Sequence, residues 1–411
     1  MASGYTGFIN LQYSPSSDDV VCTYRITPAK GTTFKVAAEA VAGESSIGTW
    51  TDVSTMNKGI KRKLKPNIFS VKKDRVKIAY PQDLFEQGNM PQIMSSIAGN
   101  IFGMKILKGL RFENVDFPPK IANSFSGPAF GISGIRKTTK TKRRPLVGTI
   151  VKPKLGLTNK QHARVAFEAW IGGLDLVKDD ENLSSMTFNK FFDRIIDTIA
   201  LKEKAEGETG EKKIYMPNVT AETEEMIDRA KFVKKQGNEY AMVDVVTTGF
   251  SGLQTLRRAN LGLVLHGHRA MHAAFTRDKL HGISMLVLAK ACRLVGVDQL
   301  HIGTVVGKMQ GGRDEVVEIA NAMRCKWHNV KTVLPVASGG LHPGHVPDLI
   351  RILGVDAAFQ FGGGVHGHPK GTRAGAKAVR QAVDAALSGT TPLKEYSKTH
   401  AELAQALSKW R

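Results

Sequence analysis

Cysteine is scarce in this chain of 411 residues, which contains only Cys22, Cys292 and Cys325. The three are odd in number, widely spaced and form no C-x-x-C pair, so the sequence argues against a disulfide framework and against a zinc finger. We therefore expect the protein to work in a reducing compartment, the cytoplasm.

Long apolar runs are missing as well. No segment reaches the roughly 18 consecutive apolar residues of a membrane-spanning helix. The first residues, MASGYTGFINLQYS, lack the basic and then apolar order of a secretory signal. We expect neither a membrane span nor secretion.

Acidic residues are outnumbered, because 37 Asp and Glu stand against 58 Lys and Arg and give a formal net charge of +21. A field of this sign attracts nucleic acid, anionic membranes or phosphorylated metabolites. The densest basic runs, residues 58–65 (KGIKRKLK) and 136–144 (RKTTKTKRR), are poor in aromatic side chains that could stack on bases. Solvated surface is the favoured interpretation of both runs, and a basic nucleic-acid-binding protein remains a remote alternative.

From about residue 145 onward, short runs rich in Val, Ile and Leu alternate with longer segments of helical period. The runs predict strands at residues 146–154, 173–180, 213–220, 240–247, 262–269, 299–306, 332–339 and 357–364. Eight strand–helix units in about 250 residues indicate an α/β fold with a C-terminal (β/α)8 TIM barrel.

The N-terminal part has a different pattern. Strand-like segments at 9–14, 20–27 and 69–81 and helix-like segments at 34–44 and 91–106 predict a smaller α+β domain of the ferredoxin-like type. The predicted organisation is an N-terminal domain (1–125), a basic connector (126–144), the barrel (145–390) and a C-terminal helical tail (391–411).

Polar residues gather at the ends of the predicted barrel strands, where TIM barrels carry their active sites. Asp180 and Glu181 offer the hard oxygen ligands that Mg²⁺ prefers. Lys178 beside them is open to two interpretations. It is a salt-bridge partner, or its neutral amine adds CO₂ and becomes a carbamate that supplies a further anionic ligand.

Histidines and glycines add further possibilities. His266, His268 and His272 could suggest zinc, but alternation along the strand and the lack of a completing cysteine or acid argue against it. The string GTVVGK (303–308) misses the Walker A spacing. The clusters SGG and GGG end consecutive strands and predict either tight turns or a phosphate site. Together these features suit stabilisation of an enolate or enediolate of a phosphorylated sugar.

The strings GTIVKPKLGL, GGLDLVKDDEN, HGHRAMH, HIGTVVGK, ASGG and QFGGG, in this order and at these strand ends, resemble the large subunit of ribulose-1,5-bisphosphate carboxylase/oxygenase (RuBisCO). The resemblance extends over residues 5–390, with GESSIGTW and AGNIFG in the N-terminal part. Segments such as YAMVDVVTTGF are most similar to the archaeal form III enzymes.

The resemblance implies roles at the barrel end. Lys178 would be carbamylated and would bind Mg²⁺ with Asp180 and Glu181. Lys152 would be the general acid, Lys154 would help to hold the reacting centre, and His268 would assist later proton transfers. By motif, the residues implied at one phosphate are Arg269, His301 and Ser338, and those implied at the other are Thr49, Trp50, Gly340, Gly362 and Gly363, with Lys308 from a mobile loop. Glu44, pairing with Lys308, and Asn100 would come from the neighbouring subunit, which implies a homodimer.

The implied reaction is carboxylation of ribulose 1,5-bisphosphate with CO₂ and water to two 3-phosphoglycerates through a Mg²⁺-bound enediolate, with O₂ as a competitor. The implied assembly is a dimer or a ring of dimers without a small subunit. The alternative is a RuBisCO-like enolase or isomerase of another phosphorylated sugar, but such relatives typically lose substrate-site residues that this sequence keeps. Two positions depart from the family pattern: Gln310 stands where Glu is usual, and Ile302 follows His301 where a small polar residue is common.

Overall fold

A computed structural model describes residues 4–306, 312–389 and 391–410 of the chain. Lys308 and Gln310 lie outside the described residues. Among the helices in these ranges, none combines the length and apolarity needed to cross a bilayer.

The strands and helices are named in chain order. The strands are β1 (Asp19–Pro28), β2 (Asn67–Lys72), β3 (Arg75–Pro81), β4 (Leu107–Asp116), β5 (Leu146–Ile150), β6 (Leu176–Lys178), β7 (Ile214–Met216), β8 (Tyr240–Asp244), β9 (Val264–His268), β10 (Gly282–Ile283), β11 (Gln299–Gly303), β12 (Leu334–Ser338) and β13 (Ala358–Phe361). The helices are α1 (Phe34–Glu44), α2 (Lys58–Leu64), α3 (Met90–Ile97), α4 (Pro119–Ala122), α5 (Gly131–Thr139), α6 (Asn159–Ile171), α7 (Phe191–Thr209), α8 (Thr223–Lys235), α9 (Val245–Arg258), α10 (Ala273–Thr276), α11 (Met285–Val295), α12 (Arg313–Arg324), α13 (Val346–Leu353), α14 (Gly363–His366), α15 (Gly371–Ser388), α16 (Leu393–Tyr396) and α17 (Ala401–Lys409).

The chain forms two compact units. The first comprises Met1–Gly127, Met271–Val295 and Trp327–Val330. Its sheet has the order β10-β4-β1-β3-β2, antiparallel except where β10 adds to β4. In β1 alternate residues from Val20 to Ile26 are buried, which places one face of the strand against the core. The succession β1–α1–β2–β3–α3–β4, with α2 added after α1, is that of a ferredoxin-like α+β unit.

Several N-terminal predictions need correction. The predicted strand at 9–14 was wrong, because beyond an isolated bridge from Ile9 to Ile68 the chain turns at Asn10 and leaves Leu11 exposed. The predicted strand at 69–81 is a hairpin of β2 and β3, with Lys73 in the left-handed region at the turn. The predicted helix at 91–106 ends at Ile97, and a 3₁₀ turn follows at Asn100–Gly103.

The second unit comprises Pro128–Ala270, Gly296–Lys326 and Lys331–Arg411. Its eight parallel strands have the order β7-β6-β5-β13-β12-β11-β9-β8. A parallel bridge between Asn218 and Met242 joins the two end strands and closes the barrel. Every strand predicted from residue 146 onward contains an observed strand, so the predicted TIM barrel with a smaller α+β domain is confirmed.

The barrel core is a set of fully buried apolar side chains from its strands, among them Leu176, Met216, Met242 and Val336. Helix α5 lies within the stretch predicted as a connector, and its residue Ile135 belongs to this core cluster. The loop after α5 leads directly into β5. The basic run around α5 therefore lies at the amino-terminal end of the barrel strands.

Candidate active site

Lys178 is the last residue of β6, and its side chain is completely buried. Its Nζ atom donates to the carbonyl oxygen of Asp179 at 2.8 Å and lies 3.3 Å from Sδ of Met242 and 3.5 Å from Oε2 of Glu181. Burial lowers the pKa of Lys178, and the surrounding carboxylates oppose that shift only in part. The Lys178 amine is therefore easier to deprotonate than the amine of a surface lysine, and it lies beside an acidic side chain.

Asp180 follows on the loop after β6 and is buried. Its Oδ2 atom accepts a hydrogen bond from Nζ of Lys152 at 2.6 Å, and its Oδ1 atom accepts from the backbone and side chain of Asn182 at 3.1 and 3.0 Å. Burial alone would raise the pKa of Asp180, but the hydrogen bonds from Lys152 and Asn182 outweigh it and lower the pKa. The carboxylate is thus kept ionised at the barrel end.

Glu181 is partly exposed and lies between Lys178 and His268. Its Oε2 atom is 3.5 Å from Nζ of Lys178 and 3.6 Å from Nε2 of His268. Burial raises the pKa of Glu181, but the charges of Lys178 and His268 outweigh this and lower it. The other ring nitrogen of His268 lies 2.7 Å from Oδ1 of the buried Asp244 at the end of β8. Asp244 therefore orients the His268 ring so that its Nε2 faces Glu181.

Asp179, although it lies between Lys178 and Asp180, belongs to a different network. It accepts hydrogen bonds from the Tyr215 hydroxyl at 2.7 Å, from Nε of Arg194 at 3.1 Å and from the backbone of Asn218 at 3.0 Å. Burial would raise the pKa of Asp179, but Arg194 outweighs it and lowers the pKa. Nε2 of His162 on α6 lies 3.1 Å from its Oδ1 atom, so partners from α6, α7 and β7 occupy this carboxylate, which fixes the loop after β6 and is not available as a ligand.

A chain of hydrogen bonds runs through side chains of β9, β11 and β12, and its members His266, Gln299 and His301 are buried. Nδ1 of His266 lies 2.8 Å from Oε1 of Gln299, its Nε2 lies 2.9 Å from Nε2 of His301, and Nδ1 of His301 lies 2.7 Å from Oγ of Ser338. Burial lowers the pKa of His266 to about 3 and that of His301 well below its ordinary value. Both rings are therefore neutral, and one proton between them orients the pair.

Arg269 follows β9 directly, and its guanidinium lies against Gly303 at the end of β11. A Cβ atom at position 303 would stand 2.8 Å from Nη2 of Arg269, and the φ of 105° at Gly303 is one that L side chains rarely adopt, so glycine suits this position. Burial lowers the pKa of Arg269 to about 10, which still leaves it cationic at neutral pH. The strand ends bring together His301 and Ser338, with Arg269 beside the same strand as His301.

The glycine clusters form the turns after β12 and β13. Gly339 and Gly340 have φ values of 112° and 67°, which L side chains rarely adopt. The Cβ position of Gly362 lies 3.7 Å from Cε of Lys152, and that of Gly363 is open. These backbones leave space beside Lys152, as a phosphate cradle requires.

The remaining candidates lie on other segments of the chain. Lys154 is exposed two residues after Lys152. In the first unit, Nδ2 of Asn100 lies 3.4 Å from Oε1 of Glu44, whose carboxylate also accepts the Tyr5 hydroxyl. Thr49 and the largely exposed Trp50 follow in the loop after α1.

Two residues of the site were missed by sequence reasoning. Asp244 ends a predicted strand and could have been found by the rule used for the other strand ends. Gln299 begins β11, and only the packed structure shows that its amide reaches His266. The zinc possibility gains no support, because within the described ranges no three His, Cys, Asp or Glu side chains are grouped to hold a metal.

A parallel barrel with a carboxylate pair, a buried lysine, histidines and an arginine at the carboxyl ends of its strands has the arrangement of a TIM-barrel enzyme, whose active site lies at that end. Residues 131–410 match the family described as ribulose bisphosphate carboxylase large chain, catalytic domain, and residues 7–121 match its N-terminal domain. The chain belongs to the RuBisCO large-chain family.

Known relatives agree with this assignment. The ribulose bisphosphate carboxylase of Methanocaldococcus jannaschii is 52% identical over 98% of this chain and 100% of its own length, and that of Methanosarcina barkeri is 50% identical over 98% of each. The crystal structure of the octameric enzyme from Pyrococcus horikoshii is similar with a TM-score of 0.94 at 46% identity, covering 98% of this chain and 96% of that one. The dimeric enzyme from Hyperthermus butylicus gives 0.93 at 45%, covering 99% of each.

Proposed function

We propose that this chain carboxylates ribulose 1,5-bisphosphate with CO₂ and water to two 3-phosphoglycerates, with O₂ as a competing reactant. The observation that carries the proposal is the completely buried Lys178 amine, which lies 3.5 Å from Glu181 and two residues before the ionised Asp180 in the sequence. A buried amine of lowered pKa has the neutral lone pair that adds CO₂, and the added group replaces a cation with an anionic oxygen donor.

The side chains fit a magnesium ion once that addition has occurred. Asp180 and Glu181 supply two carboxylates, the usual protein contribution to a Mg²⁺ site, and Lys178 as a carbamate would be the third anionic group. Without it, the described residues present no cluster of three acidic or histidine ligands. When bound, Mg²⁺ would supply Lewis-acid stabilisation of negative charge that develops on the substrate oxygens.

The proton transfers of the reaction would be carried out by residues around Asp180 and Glu181. Lys178 in its carbamate form offers an oxygen as the base that removes the proton at C3. His268, held by Asp244 with its Nε2 toward Glu181, would move protons in the later hydration and cleavage steps. Lys152, whose Nζ atom lies 2.6 Å from Asp180, would protonate the product carbon.

Two anion-binding regions suit a bisphosphate. Arg269, His301 and Ser338 would hold one phosphate. The glycine backbones at 340, 362 and 363 would hold the other, together with Thr49, Trp50 and Lys308. Glu44 and Asn100 would be supplied by a neighbouring copy. We therefore propose a homodimer with shared sites, alone or in a ring of dimers, and no small subunit. The named dimeric and octameric relatives support this assembly.

The test is an assay with purified protein, Mg²⁺, labelled bicarbonate and ribulose 1,5-bisphosphate. The proposal predicts that labelled 3-phosphoglycerate forms in proportion to the ribulose 1,5-bisphosphate consumed. The alternative, a RuBisCO-like enolase or isomerase, predicts exchange of the C3 proton with solvent while the products carry no label. The presence of all the reacting side chains named above favours carboxylation.

A further inference from the structure

A cavity of about 460 Å³ lies in the second unit, at the opposite end of the barrel strands from Lys178. It is formed by the loops that enter β5, β6 and β7, with α15 along one side. The basic run at 136–144, which the proposed reaction does not use, supplies most of one wall. The cavity is therefore separate from the carboxylate pair and from the proposed phosphate sites.

Positive charge is in excess in this cavity. Its cationic lining residues are Lys140, Lys142, Arg143, Arg144, Lys212 and Arg380, and its acidic ones are Asp175 and Glu211. Six cations against two carboxylates leave a formal charge of +4 on the wall. A concave surface with this excess concentrates anions more strongly than an exposed face of the same composition.

Both carboxylates are already matched by fixed cations. Asp175 accepts two hydrogen bonds of 2.6 Å from the guanidinium of Arg144. Glu211 contacts Nζ of Lys213 at 2.8 Å and Nη2 of Arg380 at 3.0 Å. Burial would raise the pKa of Glu211, but these partners lower it to about 2. Neither acid is free to neutralise the remaining cations.

Lys212 is also matched, by Glu206 at 3.1 Å and by Glu239 at 2.5 Å, so three of the six cations are left over. Within the part of the chain that the structure describes, the exposed Lys140, Lys142 and Arg143 have no carboxylate within ion-pair distance, and the buried Nε of Arg380 has no hydrogen-bond partner. The loop that carries the three is held in place by Arg136. Its Nη1 donates to the carbonyl oxygens of Thr141 at 3.2 Å and Arg144 at 2.7 Å. The unmatched charges therefore project from a fixed backbone.

We propose that this cavity is a binding site for a small polyphosphate anion, such as inorganic triphosphate or the triphosphate group of a nucleotide. Its volume falls in the range of about 300–1,000 Å³ of small-molecule sites, and three unmatched cations suit a chain of linked phosphates. A concave site of this size favours a small anion over a nucleic-acid duplex, which needs an extended track of phosphate contacts. The proposal does not depend on carboxylase activity.

The test is calorimetric titration of the full-length assembly with inorganic triphosphate. The probe variant is Lys142→Glu/Arg143→Glu. The matched control is Lys58→Glu/Arg62→Glu, which makes the same charge change in the exposed residues of α2. We expect the probe variant to weaken triphosphate binding at least about tenfold, about 1.4 kcal/mol, while the control and Lys142→Arg bind as the parent does.

Further measurements separate the competing explanations. Thermal unfolding should show that both charge variants fold like the parent, and their carboxylase rates without triphosphate should match the parent's. Arg269→Ala should keep the cavity's affinity for triphosphate, because Arg269 lies at the other end of the barrel. Equal affinity in the probe and control variants, or loss of binding in Arg269→Ala alone, would overturn the proposal. So would a duplex oligonucleotide that displaces triphosphate and stays bound at high salt.

Discussion

Nζ of Lys152 lies 2.6 Å from Oδ2 of Asp180, so this carboxylate has a cationic partner before any metal arrives. A lysine and a magnesium ion would then compete for the same negative charge. The proposed chemistry needs both, because the lysine protonates the product and the ion stabilises the charge that precedes it.

Replacement of Lys152 by methionine should separate these two roles. We expect Lys152→Met to bind Mg²⁺ more tightly than the parent in the presence of bicarbonate, since one cation has left the site. Its product formation should fall by at least about 100-fold, the contribution typical of general acid catalysis. Calorimetric titration with Mg²⁺ and the labelled-product assay measure the two effects. Weaker Mg²⁺ binding in Lys152→Met would contradict this assignment.

Lys178→Ala should abolish turnover and the dependence of activation on CO₂. A matched control is Lys213→Ala, because Lys213 is equally buried and paired with Glu211 but precedes β7 at the other end of the barrel. Lys213→Ala should lose stability and keep CO₂-dependent activation, and Cys292→Ser should keep both activation and turnover. The assay compares rates after preincubation with and without bicarbonate. A fully active Lys178→Ala protein is incompatible with the proposed metal site.

The ring of His266 contacts the ring of His301, which we propose as a phosphate-binding residue. Removal of its ring in His266→Leu takes away the partner of His301 Nε2 and should raise KM for the bisphosphate about three- to tenfold, since one buried hydrogen bond contributes roughly 0.5–1.5 kcal/mol. Turnover at saturating substrate should change less. His368→Leu, which removes another buried histidine of the same unit, is the control and should leave KM unchanged. An unchanged KM in His266→Leu would show that the pair does not position His301.

The same pair predicts how stability depends on pH. The pKa of His266 is about 3 in the folded protein against an ordinary value of 6.5, so between these values the unfolded chain binds a proton that the folded chain excludes. Stability should therefore fall as the pH drops below about 6.5, by about 1.4 kcal/mol per pH unit for this group. His266→Leu should reduce that slope. Denaturant unfolding at several pH values measures it, and identical slopes in parent and variant would refute the argument.

The barrel could be predicted because its strands are buried on both sides and appear as continuous apolar runs that end in polar residues. The N-terminal sheet was harder, since its strands are stabilised by partners distant in sequence. Strand β4 was missed although it pairs with β1 along most of its length. Residues 9–14 have strand-like alternation, but they have only one bridging partner and form no strand.

The active-site residues likewise include some that the sequence predicts and some that only the structure reveals. Lys178, Asp180 and Glu181 are neighbours along the chain, so the amino-acid sequence alone reveals their grouping. The partners that orient them come from other strands: Asp244 fixes His268, and Gln299 contacts His266. Such contacts depend on strand register and on which side chains face the barrel interior, and a single sequence does not determine either.

The most direct test of the account is a nuclear magnetic resonance measurement on the protein mixed with carbon-labelled bicarbonate and Mg²⁺. The account predicts a carbamate resonance in the parent that requires the ion for its persistence, remains in Lys213→Ala and is missing in Lys178→Ala. A parent spectrum without that resonance, or one in which it survives the Lys178→Ala substitution, would contradict the claim that Lys178 carries the added CO₂.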